Sequence, residues 1–425
     1  MLNRLLFPEK VNIQRRAYVW NLTASALFAL QSALFLLVIT RTGGETEGGK
    51  FIILFTVAQM LYSIGNYSMR DFQVSDLQEA YSFPTYYATR TITGTAMILA
   101  AAGYCLGKQL TPERAGVLFA LAGYRLIESF EDVIHGAVQQ KGRFDAASIS
   151  MTLRVFFSSL VFCAAYIITK SQVTASCLML LTAMAAFQLT TRVLRKRFPE
   201  TRPAFDFRKT GKLLLACFPL FAGGFMNSYL TNAAKYAIDD LMGGEAQTVF
   251  NVLFMPVFAI NLLSLFVYKP LIVRMSTLWN EGKTGAFLSQ AAKQGGLIVG
   301  LTVLIAAAGN LIGLRILEII YGIPLAEYRW LFTVLLLFGG IGALALFLNA
   351  VITILRKQPF ILLGYGISFL VNILMTHRLV RAYGIAGAGY AYGLMMGVLL
   401  VCDLAVILYT AGRRRRTEGG GTDAD

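Results

Sequence analysis

The stretch "TRVLRKRFPETRPAFDFRKTGK", Thr191 to Lys212, decides how this chain is divided. It holds eight Lys and Arg and sits at the middle of 425 residues, between two long apolar regions. Outward from it on both sides the chain is 56% hydrophobic and only 14% charged. A soluble protein carries about 25% charged residues, and no soluble core absorbs this much apolar surface, so lipid is the solvent for most of the chain. A transmembrane helix needs about 20 largely apolar residues. Six segments precede the basic stretch, at 17–40, 51–69, 86–107, 115–137, 147–169 and 172–191. Six follow it, at 213–238, 247–268, 294–314, 330–354, 358–377 and 385–410. The first run is too long for a signal-peptide core and lacks a small-residue cleavage site, so it reads as a retained helix.

With the N-terminus placed inside, 26 of the 38 Lys and Arg fall on the cytoplasmic side, nine fall outside, and Arg125, Arg154 and Lys235 lie within spans. Basic residues collect on the cytoplasmic side of membrane proteins. The net charge of +15 is therefore a topology signal rather than a sign of nucleic acid. The expected organisation is a six-helix lobe over 1–191, a cytoplasmic basic linker over 192–212 and a second six-helix lobe over 213–410. A cytoplasmic tail, 411–425, follows. Its Arg413 to Arg416 sit against anionic headgroups, and the tail is expected to be disordered. An internal echo supports the division: Gly43 in "TGGETEGGKFIILFT" and Gly243 in "MGGEAQTVFNVLFM" are 200 residues apart. Six helices per half keep one orientation, which makes the repeats parallel; chance similarity of two Gly-rich turns is the alternative. The fold class is thus an all-α integral membrane protein of about twelve transmembrane helices in two parallel lobes.

Five isolated cysteines and two distant histidines make no metal motif. No phosphate loop, HExxH or GxSxG occurs, and no outer loop exceeds about twenty residues. These observations count against an enzyme, and no cofactor is implied.

The fourth span carries "YRLIESFEDVIHG", Tyr124 to Gly136. At about 100° per residue, Arg125, Glu128, Glu131, Asp132, His135 and Gln139 fit one arc of about 120°. The opposite face is apolar. A charge at that depth costs about 3 kcal/mol or more unless it faces protein or water. Arg154 in span five, Arg70 with Asp71 after span two, and Arg90 opening span three lie at compatible depths. Two readings follow: a structural ion-pair network, with Arg125 to Glu128 at i,i+3, or a hydrated cytoplasm-facing cavity that holds an anionic head group. Arginine suits bidentate capture of phosphate. The second half offers Lys235 with Asp239 and Asp240, and Asp403 in span twelve. Pro219 and Gly223-Gly224 make span seven a hinge candidate or a static kink.

The order of "MRDFQVSD", "YRLIESFEDVIHGAVQQKGRFDAASI", "ILEIIYG" and "YGIAGAGYAY" over nearly the whole chain resembles the multidrug/oligosaccharidyl-lipid/polysaccharide (MOP) flippase superfamily. Within it the likeness is to the polysaccharide transporter branch, the O-antigen and teichuronic-acid-type flippases. The resemblance implies two lobes that rock around a central cavity. It implies a flippase that carries a lipid-pyrophosphate-linked oligosaccharide outward across a bacterial or archaeal cytoplasmic (inner) membrane, with both termini inside. Polysaccharide assembly proteins and membrane lipids are the implied partners. Arg125, Arg154, Arg70, Arg90 and Lys235 are the candidate substrate-binding residues. Glu128, Asp132 and Asp240 are the candidates for coupling to H+ or Na+. A peptidoglycan-precursor flippase and a multidrug-type ion-coupled antiporter are the rival readings. The first typically has two more spans, and the second needs an acid-dominated cavity. A membrane glycosyltransferase would need a large outer loop, and a non-transporting scaffold would not need a charged interior.

Overall fold

An apolar chain in lipid is held to structures that satisfy their own backbone hydrogen bonds, and a helix does so within one segment. The computed structural model, which describes residues 2–8, 12–76, 80–197 and 206–419, has no strand among them. It divides into two compact units, Met1–Ser228 and Tyr229–Asp425.

Unit 1 contains α1 (Leu2–Leu6), α2 (Ile13–Gly43), α3 (Glu45–Asn66), α4 (Met69–Ser75), α5 (Phe83–Gly107), α6 (Pro112–Gln140), α7 (Phe144–Thr169), α8 (Gln172–Arg197) and the first part of α9 (Phe207–Leu241). Helix α6 packs on α3, α4, α5, α7 and α8, so its polar stripe is surrounded by protein. Its start is set locally. Thr111 caps it by accepting the N–H of Arg114, and Pro112 fills the first turn. Helix α2 lies against α3 and α7 through Phe35, Phe51 and Phe162, with the Phe35 and Phe162 rings 4.2 Å apart.

Span two is broken. Helix α3 ends at Asn66, and Tyr67 and Ser68 both take left-handed backbone, at φ 53° and 48°, before α4 begins. Such non-glycine residues cost about 1–3 kcal/mol each. At this break the carbonyl of Gly65 accepts from Arg90 Nη1 and from Thr93 Oγ1 of α5, the latter at 2.8 Å.

Unit 2 contains the end of α9, α10 (Gly244–Tyr268), α11 (Ile272–Asn280), α12 (Thr284–Ala308), α13 (Leu314–Tyr321), α14 (Arg329–Ile354) and α15 (Gln358–Gly419). A π-helical turn, Gly309–Gly313, joins α12 to α13. Helix α14 packs on α10, α12 and α15. It approaches α12 so closely that a Cβ on Gly340 would collide with the Thr302 side chain. Helix α15 changes direction at Gly384, where φ is 59° and ψ −135°.

The twelve apolar segments all fall on helical backbone, the second interrupted at Tyr67–Ser68 and the last two divided by Gly384. Among the described residues, nine helices are long and apolar enough to cross a membrane, with α15 counted once. Helices α5 and α6 are long enough but fall short of that composition.

Four details depart from the sequence reading. The units divide within α9 rather than at residue 212, because Leu213 and Cys217 pack with Met69, Tyr86 and Val133 of unit 1. The basic stretch is helical at both ends, and 198–205 lie outside the described residues. The tail expected to be disordered is helical to Gly419, with 420–425 outside the described residues. The Gly-Gly-Glu echo is one residue out of structural register. Gly44 (φ 91°, ψ 170°) opens α3 and Gly243 (φ 92°, ψ −171°) opens α10, in backbone that only glycine adopts readily. Gly43 still belongs to α2, whereas α9 stops at Leu241, so the turn falls on a different glycine of each pair. Helix α9 itself runs through Pro219 as one element.

Candidate functional site

Unit 1 encloses a polar cavity of about 300 Å³, lined by Arg70, Glu128, Glu131, Asp132, His135 and Arg154 together with Tyr62 and Gln59. Four of these eight lie on α6, at the 3.6-residue spacing that defined the stripe. The others come from the broken span two and from α7, which flank α6.

Glu131 is the most heavily engaged acid. Arg154 Nε of α7 donates to its Oε2 at 2.5 Å, and Ser150 Oγ donates to its Oε1 at 2.7 Å. His135 Nε2 is 3.6 Å from Oε1 and has no hydrogen-bond partner. Glu128 Oε2 accepts from Arg125 Nη1 at 2.6 Å, the i,i+3 pair expected from sequence, and lies 3.9 Å from Arg154 Nη2. Asp132 joins three elements. It accepts from Arg70 at 3.1 Å, from Arg90 at 3.4 Å and from Asn66 Nδ2 at 3.3 Å. Arg70 also donates to Gln139 at 3.0 Å.

The four arginines expected to bind substrate are thus brought into one network, but they play different parts. Arg154 and Arg70 line the cavity. Arg125 is withdrawn beneath aromatic rings, its Cζ 4.9 Å from the Phe55 centroid and 5.3 Å from that of Phe28. Arg90 is fully buried between the α3–α4 break and Asp132. Asp132 neutralises Arg70 and Arg90. Four guanidiniums meet three carboxylates, and Asp71, beside Arg70 on α4, is a fourth acid at the same cluster. Arg154 Nη1, Arg125 Nε and Arg90 Nε are buried without a hydrogen-bond acceptor among the described residues. A buried N–H is ordinarily paired, and its loss of solvation is otherwise uncompensated. An anion supplies acceptors of that kind.

Lys235 and Asp240 belong to unit 2. Lys235 is 5% exposed and its Nζ lies 5.3 Å and 5.5 Å from the Phe254 and Phe258 ring centroids, with no carboxylate at ion-pair distance among the described residues. Asp240 is exposed and 3.2 Å from His377 Nε2. Among the described residues no group of three His, Cys, Asp or Glu side chains is placed to hold a metal. Three participants were missed in the sequence: Glu131 as the partner of Arg154, and Tyr62 and Asn66. Glu131 lies at the edge of the stripe, and only the packing of α7 selects it.

No family model and no curated protein matches the chain. Solved structures do. An inward-facing multidrug resistance MATE family transporter of the MOP superfamily aligns over 100% of this chain and 99% of its own, with TM-score 0.62 and 12% identity. An outward-facing multidrug resistance MATE family transporter aligns over 98% and 99%, with TM-score 0.57 and 13% identity. A MOP superfamily transporter from Pyrococcus furiosus aligns over 97% and 98%, with TM-score 0.60 and 13% identity. The chain has the multi-pass membrane fold of these transporters.

Proposed function

We propose that this chain is an alternating-access transporter whose cargo bears an anionic head group, and that the cargo is a lipid-pyrophosphate-linked oligosaccharide moved from the inner to the outer leaflet. One observation carries the reading: Arg154 lines the cavity of unit 1 and presents there a buried N–H with no acceptor among the described residues. An arginine N–H of that kind suits a phosphate oxygen as its acceptor. Moving a negative charge outward across an inside-negative membrane gains about 2.3 kcal/mol per 100 mV, so the potential favours the stated direction. Fold neighbours described in inward-facing and outward-facing conformations support alternating access. Helices α5 and α6, with the two halves of α15, bring the proposed number of crossings to twelve. The termini are placed in the cytoplasm, and a cysteine introduced at Pro203 tests this by reacting only after the membrane is permeabilised.

A multidrug-type ion-coupled antiporter is the second reading, favoured by fold neighbours described as multidrug resistance transporters. A further neighbour is described as having a binding pocket of reversed polarity that suggests a different function. The deciding experiment compares binding of a polyprenyl pyrophosphate and of ethidium to the purified chain. The flippase reading expects the pyrophosphate to bind and Arg154→Lys, which keeps the charge but loses the fork, to weaken it about tenfold, the worth of one charged hydrogen bond. Binding of ethidium with no binding of the pyrophosphate establishes the antiporter reading instead.

A further inference from the structure

Asp403 lies on α15, ten residues before Arg413 and so about 15 Å from the arginine run along the helix. It is 1% exposed, and among the described residues both carboxyl oxygens lack a hydrogen-bond partner. No basic side chain lies at ion-pair distance among the described residues. The neighbouring surface is Leu399, Cys402 and Gly364, where a Cβ would stand 3.7 Å from Oδ1. Tyr365 and Cys402 are the titratable groups whose charge it influences. From α14, Asn349 donates to the Tyr365 hydroxyl at 3.2 Å.

A carboxylate in such a place would have neither counter-charge nor donor, and burying an unpaired ion is among the most unfavourable acts in a protein. Within a membrane span an ionisable group of this kind marks a pathway or relay. The acids of unit 1 are differently placed. Glu128, Glu131 and Asp132 each lie within ion-pair distance of a guanidinium.

We propose that Asp403 is a proton-binding site, protonated in the conformation described and deprotonated in a second conformation that admits water to it, and that this proton is the one exchanged in the transport cycle. The site deepens the transporter reading and rests on it for the coupling. The acid binds one proton and releases one proton per cycle; no other bond changes.

The test is an infrared titration of the purified full chain, with transport measured in parallel. The parent should show a protonated-carboxyl band at neutral pH that is missing from Asp403→Asn. Asparagine matches the shape of the neutral acid, so the variant should fold. Tyr365→Phe retains the acid and should shift the pH at which the band disappears. A parent without the band, or a band that persists in Asp403→Asn, overturns the site. In vesicles with an imposed pH gradient, Asp403→Asn should move its probe, polyprenyl pyrophosphate or ethidium, without responding to the gradient. A response equal to that of the parent overturns the coupling. If parent vesicles move neither probe while the band is present, the transporter reading fails and the proton site stands.

Discussion

In unit 1 the buried acids Glu128, Glu131 and Asp132 each reach a guanidinium, whereas in unit 2 the buried Asp403 and Lys235 each stand without an ion partner among the described residues. The two halves share an architecture of helices and a glycine turn, yet they treat charge in lipid differently. Pairing fixes ionisation. A carboxylate between two arginines has its charge compensated by its neighbours, and together they shape a site for a charged ligand. An unpartnered group gains its lowest energy by becoming neutral. The difference teaches that the density of charge along a sequence does not locate proton chemistry, because the charge-rich unit is the one whose charges are mutually compensated.

The comparison is most easily broken at Arg154. Arg154→Ala leaves Glu131 buried without its guanidinium and should cost about 3–5 kcal/mol, seen as loss of folded protein in thermal unfolding. The double variant Arg154→Met with Glu131→Gln should recover most of that loss. If the single variant is as stable as the parent, the network is not a network. Next come the shared turns. Gly44→Ala and Gly243→Ala each force a side chain into glycine-only backbone and should cost about 1–3 kcal/mol. Equal losses support the structural equivalence of the two turns, and a large inequality argues against it.

A smaller effect belongs to Asp76, between α4 and α5. Burial would raise its pKa, but the N–H groups of Ala80 and Tyr81 and the Tyr86 hydroxyl outweigh that and hold it below the ordinary carboxylate value. A depressed acid stabilises above its unfolded pKa, and the contribution fades as pH falls through the folded value. Asp76→Asn should therefore cost about 1 kcal/mol near neutrality and nothing in strong acid, read from unfolding midpoints across pH. The smallest change is expected at Lys235→Met. Its Nζ lies over the Phe254 and Phe258 rings with no carboxylate at ion-pair distance among the described residues, and replacing it by an apolar chain of similar length should leave stability within about 1 kcal/mol of the parent. A collapse on this substitution would mean that Lys235 has an anionic partner after all.

Much of this architecture is readable in the chain. Apolar runs of membrane length report helices directly, and i,i+3 spacing on one helix is enough to set Arg125 beside Glu128. The helical stripe brings the α6 acids together for the same reason. What the sequence withholds depends on contacts between distant segments. Glu131 becomes a hub only because α7 carries Arg154 and Ser150 to it. The break in span two uses Tyr67 and Ser68, residues with no strong preference for left-handed backbone, so nothing local announces it. In the sequence Asp403 is a minor charge, because its importance lies in the partners it lacks.

The break at Tyr67–Ser68 also has a consequence for how the chain is made. The Gly65 carbonyl is satisfied by Arg90 and Thr93, which are synthesised 25 and 28 residues later. Until α5 enters the bilayer, a bent span two would leave backbone groups facing hydrocarbon, at several kcal/mol each. A nascent chain ending before residue 80 should therefore carry span two as one straight rod. The bend would appear only when the third span arrives to hold it, so the order of insertion is also the order in which the arginine site is assembled.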